Sequence, residues 1–167
     1  MVARRIGLSS LALATAAAAL PFSLLAMTAA PNRPELLIFD VNETLLDLSK
    51  LQQAINQEFN AEIAFKQWFA LLLQYALVDT VTGNYHHFGQ IGDAALDMLA
   101  QALGQPVRSA SRKKELLTLI TELPPHPDII PGLMALQKAG FRMVTLINSP
   151  DATVHKQIAY AGLTDFF

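Results

Sequence analysis

The 167-residue sequence contains no cysteine, few charged residues and no excess of positive charge. The absence of cysteine excludes disulfide bonds, thiolate catalysis and cysteine-ligated metal sites, and it leaves the redox compartment open. Charged residues make up 16% of the chain and the formal net charge is −2 at pH 7, so nucleic-acid binding is not indicated. The apolar share of 52% predicts a well-packed core, and the length suits one domain.

The first thirty residues differ in composition from the rest of the chain. They contain Arg4 and Arg5 but no acidic residue, and an Ala/Leu-rich stretch follows from Ile6 to Ala26. This order is typical of a secretory signal peptide, which would export or anchor the protein and confine any membrane contact to residues 1–30. Met27 offers an alternative start, and a chain beginning there would be cytoplasmic. In both cases we expect this N-terminal segment to lie outside the fold.

Polar residues follow two predicted strands at the point where each strand ends. Four apolar residues, Leu36–Phe39, are too few for a buried helix and are typical of a central strand in a parallel sheet. This strand ends in Asp40, and a second predicted strand, Phe141–Ile147, ends in Asn148 and Ser149. Ligands bind α/β proteins at the carboxyl ends of such strands, so Asp40 is placed for chemistry. The alternative is that Asp40 only caps the turn after its strand.

Between these two strands the sequence predicts only helices. Apolar residues recur at helical spacing over three segments, which are residues 62–79, 89–102 and 109–123. The first of these helices is expected to be buried on more than one side, and in the third Lys113 is expected to face solvent. A proline-rich stretch then breaks the chain. The sequence therefore predicts a helical insert, residues 49–123, between two parts of an α/β core, residues 34–48 and 124–167.

Two further helices are predicted around the second strand. Residues 130–139 have helical spacing, and Gly140 is expected to end that helix. After the second strand, Ser149 is predicted to be an N-cap, with Pro150 at the first helical position and Asp151 near the positive end of the helix dipole. This helix N-terminus would favour an anion nearby.

The motifs together resemble the haloacid dehalogenase superfamily, and within it the type II 2-haloacid dehalogenases. The matching segments are residues 39–47, Trp68 with Gln74 and Tyr75, residues 85–88, residues 144–150 and residues 161–163. The resemblance implies a Rossmann-like parallel-sheet core with an inserted helical cap. It also implies a cofactor-free hydrolase that acts through an aspartyl ester intermediate on a small 2-substituted carboxylic acid.

The resemblance also assigns roles to individual residues. Asp40 matches the catalytic nucleophile, and nucleophilic catalysis of this kind divides one difficult step into two. Asn42, Asn148, Ser149 and Trp68 are the predicted substrate-binding residues, and no metal ligands are expected. The expected partner is a small-molecule substrate, and a homodimer is compatible with the resemblance.

Several positions depart from the family's pattern. Two residues after the nucleophile, where dehalogenases carry tyrosine and phosphatases carry an acid, this chain has Asn42. Phe69 follows Trp68 in place of the arginine that would bind halide and carboxylate, and an apolar ring cannot replace a guanidinium group. Ile147 stands in place of a small hydroxyl residue. The family's lysine and magnesium-binding positions would lie beyond Phe167, so the core is predicted to be C-terminally truncated.

These departures leave two alternatives to the dehalogenase-like hydrolase. One is a magnesium-dependent phosphatase of the same superfamily, which would need magnesium as a cofactor and against which Asn42 counts. The other is an inactive remnant or a binding module, which the absent downstream positions favour.

Overall fold

The computed structural model of the protein describes residues 34–167. Its elements, in order, are strand β1 (Leu36–Phe39), helices α1 (Ser49–Glu58), α2 (Ala64–Thr82), α3 (Phe88–Ala102) and α4 (Ala110–Thr118), a 3₁₀ turn (Leu119–Thr121), helix α5 (Ile129–Lys138), strand β2 (Arg142–Thr145), helix α6 (Asp151–Tyr160) and a second 3₁₀ turn (Thr164–Phe166). This order confirms the predicted α/β fold with helices inserted between two strands. The predictions for residues 1–30 fall outside the described residues. Within residues 34–167, no helix is both long and apolar enough to cross a membrane.

Strands β1 and β2 pair in parallel, as predicted. Leu36 lies opposite Arg142 and Phe39 lies opposite Thr145. The pairing ends with a hydrogen bond from the Leu146 amide to the Phe39 carbonyl, at 2.8 Å. β2 is shorter than the predicted span because β1 ends at Phe39 and offers no further backbone partner. The carboxyl ends of both strands therefore lie at one edge of the sheet.

Among the described residues, the helices α1–α4 contain six of the twelve largest fully buried side chains. Trp68, Leu51, Ile55, Leu72, Leu96 and Leu99 are fully buried or nearly so. Burying an aliphatic side chain of this size contributes about 1.5–3 kcal/mol relative to leaving it exposed. Residues from the sheet, such as Met143, and from α6, such as Ile158, belong to the same hydrophobic cluster. The described region therefore has one continuous core.

Helix α2 is buried on one side and only in its first half, which corrects the prediction that it is buried on more than one side. Its buried residues, Ala64, Phe65, Trp68 and Leu72, all lie in its first half. Leu77 and Val81, in the second half, are 68% and 86% exposed. Helix α1 has 10 residues whereas α2 has 19, so α1 covers only part of the apolar surface of α2. The spacing of apolar residues shows a helix but not how far its neighbours extend.

Helix α4 also differs from its prediction. It ends at Thr118 and continues only as the 3₁₀ turn, so it is shorter than the predicted segment 109–123. Ser109 caps its N-terminus, and the Ser109 hydroxyl accepts a hydrogen bond from the Arg112 amide at 3.3 Å. Lys113, predicted to face solvent, is buried with a side chain only 8% exposed. The expected solvent-facing position is wrong because α3 packs there and presents Asp93 and Asp97 to the ammonium group.

The start of α6 corrects the predicted capping residue. Pro150, not Ser149, occupies the N-cap position, with extended backbone angles of φ −59° and ψ 145°. The Pro150 carbonyl accepts hydrogen bonds from the amides of Thr153 and Val154, at 2.8 and 3.2 Å. The fixed φ of proline is compatible with the cap position as well as with the first helical turn, so the sequence alone does not distinguish the two. The prediction for Gly140 is confirmed, since it follows α5 with a positive φ of 79°.

Candidate functional site

Asp40 lies in the turn that directly follows β1, and its side chain is exposed. The turn is held by the Val41 carbonyl, which accepts hydrogen bonds from the amides of Leu45 and Leu46 at 2.9 and 3.0 Å. Val41, Leu45 and Leu46 are buried, which anchors the turn in the core. The Thr44 hydroxyl lies 3.4 Å from a carboxylate oxygen of Asp40 and donates a long hydrogen bond to it. Asp40 is therefore a solvent-accessible carboxylate on a well-anchored turn.

Asn42 is connected to helix α6 by a buried amide. The Gln157 Nε2 group donates to the Asn42 side-chain oxygen at 2.9 Å and to the Ile120 carbonyl at 2.9 Å. Gln157 is fully buried, and within the described region its Oε1 atom has no hydrogen-bond partner. Sequence reasoning missed this residue, although its spacing from Val154 places it on the core face of α6. Gln157 thus joins the turn after β1 to the end of the helical insert.

Asn148 and Ser149 follow β2 at the same edge of the sheet as Asp40. Asn148 is exposed and Ser149 is partly buried. Since Phe39 pairs with Thr145 in a parallel register, the chain leaves β1 and β2 in the same direction. The structure therefore brings a carboxylate, an amide and a hydroxyl to one edge, where α/β proteins bind their ligands.

A cavity of about 610 Å³ lies between helices of the insert and the start of α6. Its lining includes Trp68 and Ser149, but not Asp40, Asn42 or Asn148. The Trp68 side chain is 1% exposed, and its indole nitrogen donates to the Gly92 carbonyl at 2.9 Å. Two of the predicted substrate-binding residues thus share one cavity. The other predicted site residues lie on the turns after the strands.

The cavity wall carries more positive than negative charge. Lys114, Lys156 and Asp93 all line it. The Asp93 carboxylate is already paired, because it accepts a hydrogen bond from the Lys113 ammonium at 2.7 Å. Burial lowers the pKa of Lys113, but the hydrogen bonds that its ammonium donates to Asp93 and Asp97 raise the pKa by more, so it lies above the ordinary value. The charge of Asp93 is therefore compensated by a lysine that stays protonated.

The described residues offer little for metal binding. Across residues 34–167, no group of three or more histidine, aspartate or glutamate side chains could hold a metal ion. His86 and His87 are both exposed. The His86 Nδ1 atom lies 2.7 Å from an Asp79 carboxylate oxygen. Asp79 thus orients His86 without forming a ligand set.

Comparisons with known proteins point to one group of enzymes. No protein-family model matches the sequence. The chain is 25% identical over 133 residues to (S)-2-haloacid dehalogenase 2 of Pseudomonas sp. (strain CBS-3), an alignment that covers 78% of this chain and 57% of that protein. The chain thus spans little more than half the length of this curated relative, and truncation of the core stays a prediction.

Solved structures show the same relationship. The L-2-haloacid dehalogenase from Xanthobacter autotrophicus matches with a TM-score of 0.72 and 25% identity, over 81% of this chain and 55% of that one. A magnesium-bound hydrolase of the haloacid dehalogenase superfamily from Bacillus subtilis matches with a TM-score of 0.59 and 18% identity, over 81% and 63% of the two chains, and it supports the fold alone. The chain is therefore related to the 2-haloacid dehalogenases and has the fold of the haloacid dehalogenase superfamily, as its sequence motifs predicted.

Proposed function

We propose that this chain provides the nucleophile of a hydrolase that acts on a 2-substituted carboxylic acid. The observation that carries the proposal is the exposed carboxylate of Asp40 at the carboxyl end of β1, at the same sheet edge as Asn148 and Ser149. A structure of the related Xanthobacter enzyme, described as having chloropropionic acid covalently bound, supports a covalent route. The relatives are longer than this chain, so their activity comes to it only as a proposal.

The proposed reaction has two steps. In the first, a carboxylate oxygen of Asp40 attacks the C2 carbon of the acid, a C–O ester bond forms, and the substituent at C2 leaves with the bonding electron pair. In the second, water attacks the Asp40 ester carbonyl, the acyl C–O bond breaks, and a 2-hydroxy acid and the Asp40 carboxylate are released with one proton. Nucleophilic catalysis replaces one difficult displacement by two easier steps.

The residues around Asp40 hold the turn that carries it in place. The turn that carries Asp40 is anchored by its buried apolar residues. Gln157 holds Asn42, two residues from the nucleophile, in one orientation. Holding reacting groups in a productive geometry can supply a large part of a rate enhancement. We therefore propose Asn42, Asn148 and Ser149 as groups that orient the substrate, and Trp68, which is only 1% exposed, as a residue that supports the site from behind.

Phe69 limits which substrates react quickly. Its ring stacks on Phe65, with ring centroids 5.6 Å apart and an interplanar angle of 12°. Where the family resemblance expects an anion-binding arginine, this chain therefore has an aromatic ring and no positive charge. We expect slow halide release from 2-chloropropionate. The phosphatase alternative is not favoured, because Asn42 stands where those enzymes carry an acid.

Oxygen labelling tests the proposal even if turnover is slow. The chain is incubated with 2-chloropropionate in ¹⁸O-labelled water, digested, and analysed by mass spectrometry. Because water attacks the aspartyl ester, we expect ¹⁸O to accumulate in the Asp40 carboxylate. Asp40→Asn should lower hydrolysis by orders of magnitude. Its free energy of unfolding should change by less than about 0.5 kcal/mol, since the side chain is exposed and weakly bonded.

Glu43→Gln is the matched control, because Glu43 is an exposed carboxylate in the same turn. We expect it to retain hydrolysis and labelling of Asp40. Label in another carboxylate, or unchanged hydrolysis by Asp40→Asn, would remove Asp40 from the mechanism. If Asp40→Asn instead loses its cooperative unfolding transition, this loss would support the role of Asp40 as a turn cap.

A further inference from the structure

Gln157 connects three separate parts of the described chain through one side-chain amide. It lies on α6, is fully buried, and its Nε2 group donates hydrogen bonds of 2.9 Å to the Ile120 carbonyl and to the Asn42 side-chain oxygen. Ile120 belongs to the 3₁₀ turn at the end of the helical insert, and Asn42 lies in the turn that carries Asp40. One buried group therefore links the insert and α6 to the turn of the proposed nucleophile.

The Ile120 carbonyl decides which way the Gln157 amide is turned. A backbone carbonyl accepts hydrogen bonds and cannot donate them, whereas a side-chain amide has a donor end and an acceptor end. If the Gln157 amide were reversed, its Oε1 atom would face the Ile120 oxygen with no proton between them. The hydrogen-bond network assigns the orientation of such an amide, and this network allows only one. Both N–H bonds of Gln157 are therefore directed at Ile120 and Asn42.

The orientation of Gln157 in turn fixes the orientation of the Asn42 amide. Because Gln157 presents an N–H group, Asn42 turns its oxygen toward Gln157. The other end of the Asn42 amide, its NH₂ group, has no acceptor among the described residues, and the side chain is partly exposed. Asn42 thus presents two N–H donors, and not an oxygen, on the side away from Gln157. These donors lie on the same turn as Asp40, two residues further along the chain.

We propose that Gln157 is a positioning residue that makes Asn42 a hydrogen-bond donor toward a substrate held at Asp40. This inference rests on the proposed function and adds a residue to its site. N–H groups attract the negative charge of a reacting acid, whereas an amide oxygen in their place would repel it. Within the described region the buried Oε1 atom of Gln157 has no partner, and an unpaired buried acceptor offsets the stability gained from the two donated hydrogen bonds. Gln157 thus contributes more to the orientation of Asn42 than to the stability of the chain.

Nuclear magnetic resonance of the ¹⁵N-labelled full-length chain tests the two amide orientations. The side-chain amide protons of Gln157 should exchange with water at least about tenfold more slowly than those of Asn42, because only the former are buried and hydrogen-bonded. Gln157→Glu replaces the donor by an acceptor of similar shape, so Asn42 should reverse and its NH₂ protons should become protected. Gln157→Met removes both donors at the same side-chain length, so the Asn42 amide should become more mobile and its order parameter should fall. Equal exchange of the two amides in the parent chain, or an unchanged Asn42 signal in both variants, would overturn the inference.

The rate of ¹⁸O incorporation into Asp40 tests the consequence for the reaction. With 2-chloropropionate, Gln157→Met should lower this rate on the order of tenfold, because a group that orients the substrate is no longer held in place. Gln137→Met is the matched control, since the Gln137 side-chain amide also donates to a backbone carbonyl, that of Asp165 at 3.0 Å, and does not contact Asn42. The control should leave the rate and the Asn42 signal unchanged, and an unchanged rate in Gln157→Met would overturn the inference. A protected Gln157 amide in a parent chain that gains no label at Asp40 would keep the orientation of Asn42 and refute the proposed chemistry.

Discussion

The carboxylates of the helical insert and the carboxylate at the sheet edge differ in how strongly they are hydrogen-bonded and how accessible they are. Glu58 accepts hydrogen bonds from Arg108 at 2.8 Å and from Arg112 at 2.7 Å. Asp97 accepts one from the buried Lys113 at 2.8 Å. Asp40, in contrast, is exposed, and its contact with Thr44 is 3.4 Å long. The insert uses its acidic groups to join helices, whereas the sheet edge leaves its acid accessible.

The burial of apolar side chains also differs between the helical insert and the sheet. Leu51 and Ile55 of α1 are fully buried, whereas Ile38 of β1 is 59% exposed and Leu146, just after β2, is 70% exposed. Substitutions in the insert should therefore act on stability, and substitutions at the sheet edge should act on chemistry. Stability and function are often separated in this way, because a group that reacts must stay accessible and incompletely paired.

The largest stability effect in this comparison should come from Lys113. Lys113→Met leaves two carboxylates, Asp93 and Asp97, facing each other without a cation. Removing one partner of a buried ion pair costs about 3–5 kcal/mol, but Asp93 is partly exposed and solvent screens the repulsion, so we expect a loss of about 2 kcal/mol. Urea unfolding measures the effect. Lys114→Met, on the exposed side of the same helix, is the control and should change stability by less than about 0.5 kcal/mol.

The pH dependence of Lys113 follows from its raised pKa. Since the folded-state pKa lies above the ordinary value of 10.5, its stabilising contribution is complete below pH 10.5 and is lost as the pH rises through the folded value. The stability difference between the parent chain and Lys113→Met should therefore shrink in strongly alkaline solution. A constant difference there would show that packing, not charge, accounts for the effect.

Glu58 should have an intermediate effect. Burial raises the pKa of Glu58, but the hydrogen bonds donated by Arg112 and Arg108 lower it by more. The folded-state pKa therefore lies below the ordinary 4.5. Glu58→Gln should lose about 1–2 kcal/mol at pH 7, because two charge-assisted hydrogen bonds are weakened. The difference should disappear as the pH falls below 4.5 through the folded pKa.

Glu115→Gln is the matched control for Glu58, because Glu115 also pairs with Arg112 but has a side chain that is 63% exposed. We expect little change in stability from it at any pH, since exposed ion pairs contribute about 0–1 kcal/mol. Thermal melting of both variants from pH 3 to pH 8 checks the prediction. Equal losses in the two variants would contradict the importance of burial.

The smallest effect on stability should come from a substitution at an exposed position of β1. Ile38→Thr keeps a β-branched residue in β1 and should change the stability of the 167-residue chain by less than about 0.5 kcal/mol. Ile55→Thr makes the same substitution in the core of α1 and should cost more than 1 kcal/mol by an order-of-magnitude estimate, because it buries a hydroxyl group. Urea unfolding compares them. A large loss from Ile38→Thr would show that β1 has more neighbours in solution than its exposure indicates.

Much of the fold and some of the site could be predicted from the sequence. The apolar run Leu36–Phe39 is short and bounded, which predicts a strand, and the polar residue after it marks the sheet edge. The helical spacing of apolar residues predicted the insert. Pro150 was less informative, because its fixed φ suits two successive helix positions, and the cap was assigned one residue too early.

What the sequence determined by itself was local: which segments are strands or helices, and that Asp40 and Asn148 each follow a strand. Only the tertiary structure decided which side chains are buried and paired. Lys113 lies in a basic run and Gln157 lies between Lys156 and Ile158, and their burial depends on Asp93 and Asp97 of α3 and on Asn42 after β1. The physical reason is that periodicity reflects backbone geometry within one element, whereas burial and hydrogen bonding depend on contacts between elements far apart in the chain.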